Sequence, residues 1–139
     1  MNVVYQTSAT VTGGRNGHVK SNDGILDLDV RIPKEMGGSG GHTNPEQLFA
    51  AGYAACFDSA LNMIMRKEKV QPTSPSTVTA TVGIGPNDQG GFQLAVKLAV
   101  QLPGIDKQKG QQLVEMAHSV CPYSNATRGN IDVELVLAD

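Results

Sequence analysis

The stretch "NPEQLFAAGYAACFDSALNMIMRK", residues 44–67, limits the fold more than any other segment. Asn44 suits an N-cap and Pro45 suits the first helical position, so a helix is predicted to start there. From Leu48 to Met65, apolar side chains cover nearly every side of that helix. A helix on a protein surface keeps one polar face; a helix apolar all round must be covered all round. Its weakly polar run "LFAAGYAACF" is far shorter than the roughly 20 residues of a bilayer span, so the expected cover is protein.

The flanking segments supply the other elements. Residues 3–12, "VVYQTSATVT", are mostly strand formers, and "GGRNG" follows with Asn16-Gly17 as a hairpin signal. "HVKS" and "ILDLDVRI" read as two more strands. In the second, Leu26, Leu28, Val30 and Ile32 share one face. "PKEMGGSGGHTN" is a loop into the apolar helix. "TVTATVGI" and "FQLAVKLAVQL" alternate around "GPNDQGG", a further hairpin. "DKQKGQQLVEMAHSV" is amphipathic through Leu113, Met116, Ala117 and Val120, and Pro122 is expected to end it. "IDVELVLAD" closes as a strand. The order βββ-α-ββ-α-β predicts an α+β fold in one domain spanning residues 1–139. A domain of this size buries roughly 68–70% of its unfolded surface and needs no disulfide. Two helices and six strands offer limited cover for the apolar helix. That predicts an intertwined homodimer with the two central helices packed together.

Charge excludes some classes of partner. The 11 Lys and Arg are scattered and the net charge is −2, so neither nucleic acid nor an anionic membrane is an expected partner. "MNVVYQTSAT" lacks the basic and apolar regions of a signal peptide, which predicts a cytoplasmic protein. Thiols there are normally reduced.

Against that background the two cysteines are the main candidates for chemistry. Cys56 sits mid-helix among Ala54, Ala55 and Phe57, where a small inert core thiol is one reading. Cys121 precedes Pro122 and admits the same reading. The two do not form a CxxC motif, so any contact between them must be tertiary. His18, His42 and His118 lie far apart without metal-ligand spacing, and no metal or bound cofactor is expected. His118 falls three residues before Cys121, where a solvated or capping role is the plainer one. "GGSGGHTNPEQ" lacks the GK[ST] ending of a phosphate loop. Glu46 in the first helical turn is accounted for by the helix dipole, and Arg15 as a solvated turn tip.

"TNPEQLFAAGYAACFDSAL" together with "CPYSNATRGN" resembles the organic hydroperoxide resistance family within the larger OsmC-like superfamily. "ATVTGGRNG", "GGSGGHTNPEQ", "VGIGP" and "LPGI" extend the resemblance over nearly the whole chain. It implies a dimeric thiol peroxidase with the OsmC-like α+β fold. By motif, Cys56 in "AACF" matches the peroxidatic cysteine and Cys121 in "CPYS" the resolving one. Arg15 in "GGRNG" and Glu46 in "NPEQ" match the family's arginine and its partner glutamate. The implied chemistry oxidises Cys56 to a sulfenic acid, closes a Cys56–Cys121 disulfide, and opens it again with an external dithiol, a dihydrolipoyl group on a lipoylated protein. The alternative is an OsmC-like protein that senses redox state or binds a ligand without turnover.

If Arg15 serves both Glu46 and Cys56, the spacing matters. Ten residues of straight helix rise about 15 Å, more than one guanidinium can span. Either the helix breaks between them, with Gly52 the weakest point, or Arg15 and Glu46 act on the Cys56 of a partner chain.

Overall fold

The computed structural model describes Met1–Asp139. The chain divides into two compact units, Met1–Leu48 and Phe49–Asp139. The long helix α1, Pro45–Lys67, begins in the first and continues through the second.

The N-terminal unit holds an antiparallel sheet of β1 (Ala9–Thr12), β2 (His18–Ser21) and β3 (Asp27–Asp29), in that order. β1 is shorter than residues 3–12 suggested. Its ladder runs from Thr12↔His18 to Ala9↔Ser21 and ends where β2 ends, since a strand needs a paired neighbour. β3 is short for the same reason. After Asp29 the chain leaves β2, and Val30 makes only an isolated bridge to Thr43. Leu28 is 40% exposed while Val30 is buried, so the expected apolar face is only partly turned inward. The β1–β2 hairpin forms as read, but Gly13 (φ 81°) and Gly14 (φ 57°) take the left-handed conformations rather than Asn16-Gly17. A 3-10 turn, Gly14–Asn16, then carries Arg15.

The C-terminal unit contains the core. β4 (Thr77–Pro86) and β5 (Phe92–Gln101) form the expected hairpin. β6 (Val133–Ala138) lies parallel to β5, so the sheet order is β4-β5-β6. A parallel pair needs a crossover. α2 (Lys107–Val120) and α3 (Pro122–Thr127) provide it. The order βββ-α-ββ-α-β therefore holds, with α3 added. Val96, Leu98 and Val100 of β5 share the core with Tyr53, Phe57, Leu61, Ile64 and Met65 of α1. α2 adds Leu113, Val114 and Ala117. Its apolar stripe is rotated from the expected one: Val114 is fully buried and Val120 is 40% exposed.

Asn44 caps α1 as its sequence predicts, and Asp106, which the sequence reading did not name, caps α2. The Gln47 N–H donates to the Asn44 side chain at 2.9 Å, and the Lys109 N–H donates to Asp106 at 2.9 Å. α1 departs from expectation in two respects. Its 23 residues, with mean hydropathy 1.3 over the most apolar stretch, are long and apolar enough to cross a membrane. The sequence reading judged "LFAAGYAACF" alone and so understated that length. A core helix meets the same measure, and α1 buries one face in the core just described. The chain does not cover α1 all round: Ala51, Ala55, Ser59 and Met63 form an exposed stripe at four-residue spacing.

At Gly110 the backbone of α2 approaches β6 closely; an added Cβ would lie 2.8 Å from Leu137 Cδ2. Gly110→Val should therefore lower unfolding free energy by about 1–3 kcal/mol, the usual cost of overpacking a core. Urea denaturation checks this, and a midpoint equal to wild type would refute it.

Candidate functional site

Tertiary packing joins what the sequence separates. Cys56 Sγ and Cys121 Sγ lie 3.7 Å apart, both as free thiols. Cys56 projects from the interior of α1 and is half-buried; Cys121 is fully buried. Cys121 is the C-cap of α2 and also the N-cap of α3, with ψ at 124° breaking the helical path. Its N–H donates to the Ala117 carbonyl and its own carbonyl accepts from the Asn125 N–H, both at 2.9 Å. Pro122 does end α2 as expected, and it also opens α3 at the position where a missing N–H costs nothing.

Burial pushes the Cys56 thiol up, while the Tyr123 backbone N–H pulls the other way. Two thiols this close do not both ionise readily, because the second charge is repelled by the first. Burial in this unit thus favours the neutral form of the Cys56 thiol.

Beside the thiols lies a buried polar cluster that the sequence reading did not single out. The Tyr53 hydroxyl hydrogen-bonds Ser124 Oγ at 2.9 Å and Thr127 Oγ1 at 3.1 Å. Ser124 Oγ also meets His118 Nδ1 at 2.8 Å. His118 is therefore a member of this cluster, and burial, with the nearby Arg128 charge, pushes its pKa down. A signal was present: Tyr53 precedes Cys56 by one turn, and Ser124 and Thr127 follow Cys121 at three-residue steps. Above them Phe49, Tyr53 and Tyr123 pack as an aromatic trio with centroids 5.7–6.3 Å apart. Gly52 makes room for it, since a Cβ there would lie 2.8 Å from the Tyr123 hydroxyl. Gly52 is no break: α1 runs without interruption from Pro45 to Lys67. An open groove of about 700 Å³ adjoins the trio, lined by Phe49, Phe92, Leu94, Tyr123 and Ile131 among others.

Arg15 and Glu46 meet in the N-terminal unit. Arg15 Nη1 and Nη2 donate to the two Glu46 carboxylate oxygens at 2.8 and 2.7 Å, a bidentate pair. Arg15 is thus no freely solvated tip; its side chain is 34% exposed and that of Glu46 14%. The Arg15 hydrogen bonds hold the Glu46 carboxyl below its usual range, against the opposing effect of burial. Reciprocally, Glu46 raises the arginine pKa. The pair fixes a planar cation with N–H groups to spare.

Known proteins share the α+β scaffold. A family model described as OsmC-like protein matches residues 38–136. The organic hydroperoxide resistance protein of Xanthomonas axonopodis pv. citri is 52% identical over 137 residues, covering 98% of this chain and 96% of that one. The organic hydroperoxide resistance protein OhrB of Bacillus subtilis is 45% identical over 136 residues, covering 96% and 98%. The crystal structure of an organic hydroperoxide resistance protein from Elizabethkingia anophelis superposes with TM-score 0.95 at 54% identity, covering 100% and 99%. The class is that of the OsmC-like proteins. Within it, this chain belongs to the organic hydroperoxide resistance family.

The Glu46 shift has a definite sign. Its folded pKa lies below the unfolded value of 4.5, so the pair contributes stability above that pH and loses it as pH falls through the folded pKa. NMR titration should place the Glu46 midpoint below 4.5, and Arg15→Met should raise it above the wild-type midpoint. An unchanged midpoint in the variant would contradict the assignment.

Proposed function

We propose that this protein reduces organic hydroperoxides to alcohols by thiol chemistry at Cys56 and Cys121. One observation supports the reading most: two reduced cysteines remote in sequence lie 3.7 Å apart, one accessible and one buried. The relatives' names give the class of peroxide.

The Cys56 thiolate attacks the terminal oxygen of ROOH. The O–O bond breaks, the alkoxide leaves and takes a proton as ROH, and Cys56 becomes a sulfenic acid. The Cys121 sulfur then attacks Cys56 sulfur. The S–S bond forms, the S–O bond breaks, and hydroxide leaves with the Cys121 proton as water. An external dithiol, on this reading a dihydrolipoyl group of a lipoylated protein, reduces the disulfide and is itself oxidised to a disulfide. No bound cofactor or metal takes part in this scheme. The setting is a cytoplasmic one, where such reductants are found.

Burial alone leaves Cys56 too protonated for this work, so the scheme needs a cation at the sulfur. Arg15 fits that need. Held by Glu46, it can favour the thiolate and donate to the peroxide oxygens as negative charge develops. We assign it to the Cys56 of a partner chain. The uninterrupted α1 removes the broken-helix alternative, and the exposed Ala51–Ala55–Ser59–Met63 stripe favours a homodimer with central helices packed together. Apolar side chains beside the site, Phe49 and Tyr123 of the adjoining groove among them, favour an alkyl or lipid tail over hydrogen peroxide.

Cys56→Ser should abolish consumption of tert-butyl hydroperoxide with dihydrolipoamide as reductant. Cys121→Ser should consume one equivalent, then stall or overoxidise. Normal turnover by Cys56→Ser would overturn the scheme.

Subunit mixing tests the assignment across the dimer. Arg15→Ala and Cys56→Ser, each inactive alone, should recover about a quarter of wild-type activity when mixed and re-equilibrated, because half of the random dimers carry one intact site. A mixture as inactive as its components would place Arg15 and Cys56 in the same chain.

A further inference from the structure

α3 has six residues, too few to be stable as an isolated helix. Only two of its residues are buried, Ser124 and Thr127, and both are hydroxyl side chains. Both are bonded to one atom, the hydroxyl of Tyr53, itself fully buried. α3 is therefore tied to the core largely through a polar hub. Tyr53 lies one turn before Cys56 on α1, and Ser124 lies one turn after Cys121 on α3. The hub closes a short loop, Cys56–Tyr53–Ser124–Cys121, whose open side is the 3.7 Å gap between the sulfurs. His118 holds Ser124 from the end of α2, so both helices that meet at Cys121 are tied to the same point.

We propose that Tyr53, through Ser124 and Thr127, is the positioning residue for the second step, holding Cys121 within reach of an oxidised Cys56. This rests on the peroxidase reading of the same site. A disulfide needs the sulfurs to close from 3.7 Å to about 2.05 Å, a movement of under 2 Å. The backbone at the Cys121 junction lies between two helices and can shift to make it, whereas Cys56, inside α1, can contribute only by rotating its side chain. Without the hydroxyl, α3 is left with the packing of Tyr123 on Phe49 and the Tyr53 ring, and Cys121 samples a larger volume. The Cys56 sulfenic acid then survives longer, and a second hydroperoxide oxidises it to the sulfinic acid with release of a second alcohol. The Tyr53 hydroxyl bonds Ser124 and Thr127 and neither sulfur, so its removal leaves attack on the first peroxide largely unchanged.

Tyr53→Phe deletes the hydroxyl and keeps the ring. Reduced variant and wild type are mixed with tert-butyl hydroperoxide, quenched and resolved by mass spectrometry. The first equivalent should be consumed at a similar rate, while disulfide closure slows about tenfold or more, since the hydroxyl's two buried hydrogen bonds, to Ser124 and Thr127, are both lost, and sulfinic acid appears at correspondingly lower peroxide. Closure at the wild-type rate overturns the proposal, even if urea shows the variant to be less stable. If Tyr53→Phe does not fold, Ser124→Ala removes the Tyr53–Ser124 bond together with the His118–Ser124 bond, and slower closure is again expected and closure at the wild-type rate again overturns the proposal. A peroxide-free measurement separates this proposal from the peroxidase reading. In a glutathione redox buffer, the Cys56–Cys121 disulfide equilibrium constant should fall about tenfold or more in the variant. An unchanged constant overturns the positioning role, whereas a wild-type protein that consumes no hydroperoxide overturns only the peroxidase reading.

Discussion

Everything at the dithiol centre depends on the packing of one face of α1 against β5 and α2. Tyr53, Phe57, Leu61, Ile64 and Met65 bury that face, and Cys56 is carried on its margin by the same helix. A close-packed core transmits position with little slack. The place of Cys56 is therefore settled by side chains that have no part in its chemistry. Cys121 is set from the other side: Ala117 and Leu113 anchor α2 in the core, and the turn at Cys121 directs the chain into α3. The parallel β5–β6 pair makes that crossover obligatory, so the sheet topology and the location of the second thiol have one cause.

Packing of this kind brings the thiols together but works against ionisation of Cys56: burial favours its neutral form, and the neighbouring Cys121 adds to that. On the reading proposed above, a cation at the sulfur offsets this, and the proposed source is Arg15, whose guanidinium is oriented by two hydrogen bonds to Glu46 at 2.8 and 2.7 Å.

Much of the fold was legible because its signals are local. The cap at Asn44, the alternation of β4 and β5 and the i, i+3, i+4 pattern of α2 each reflect interactions within a few residues. Where the reading failed, the deciding interaction was not local. Residues 3–8 have strand-forming side chains, but the ladder stops at Ala9 because β2 stops at Ser21. Val120 fits the apolar period, yet the stripe turned inward runs through Val114, because the core lies on that side. The short α3 went unread because "PYSNAT" carries no helical periodicity of its own; it is held by Tyr53, which is 71 positions from Ser124.

By itself, the sequence determined the order of elements, the apolar demand of α1 and the presence of two cysteines. These follow from side-chain period, capping and composition, which act over one or two turns of chain. Arg15 and Glu46 stood out only through the resemblance of their motifs to the family. Only the tertiary structure decided that Cys56 and Cys121 are neighbours, that Arg15 is locked to Glu46, and that Tyr53 joins α1 to α3. Such contacts close loops of tens of residues, and the entropy of closing them is offset by the whole core rather than by the residues that meet.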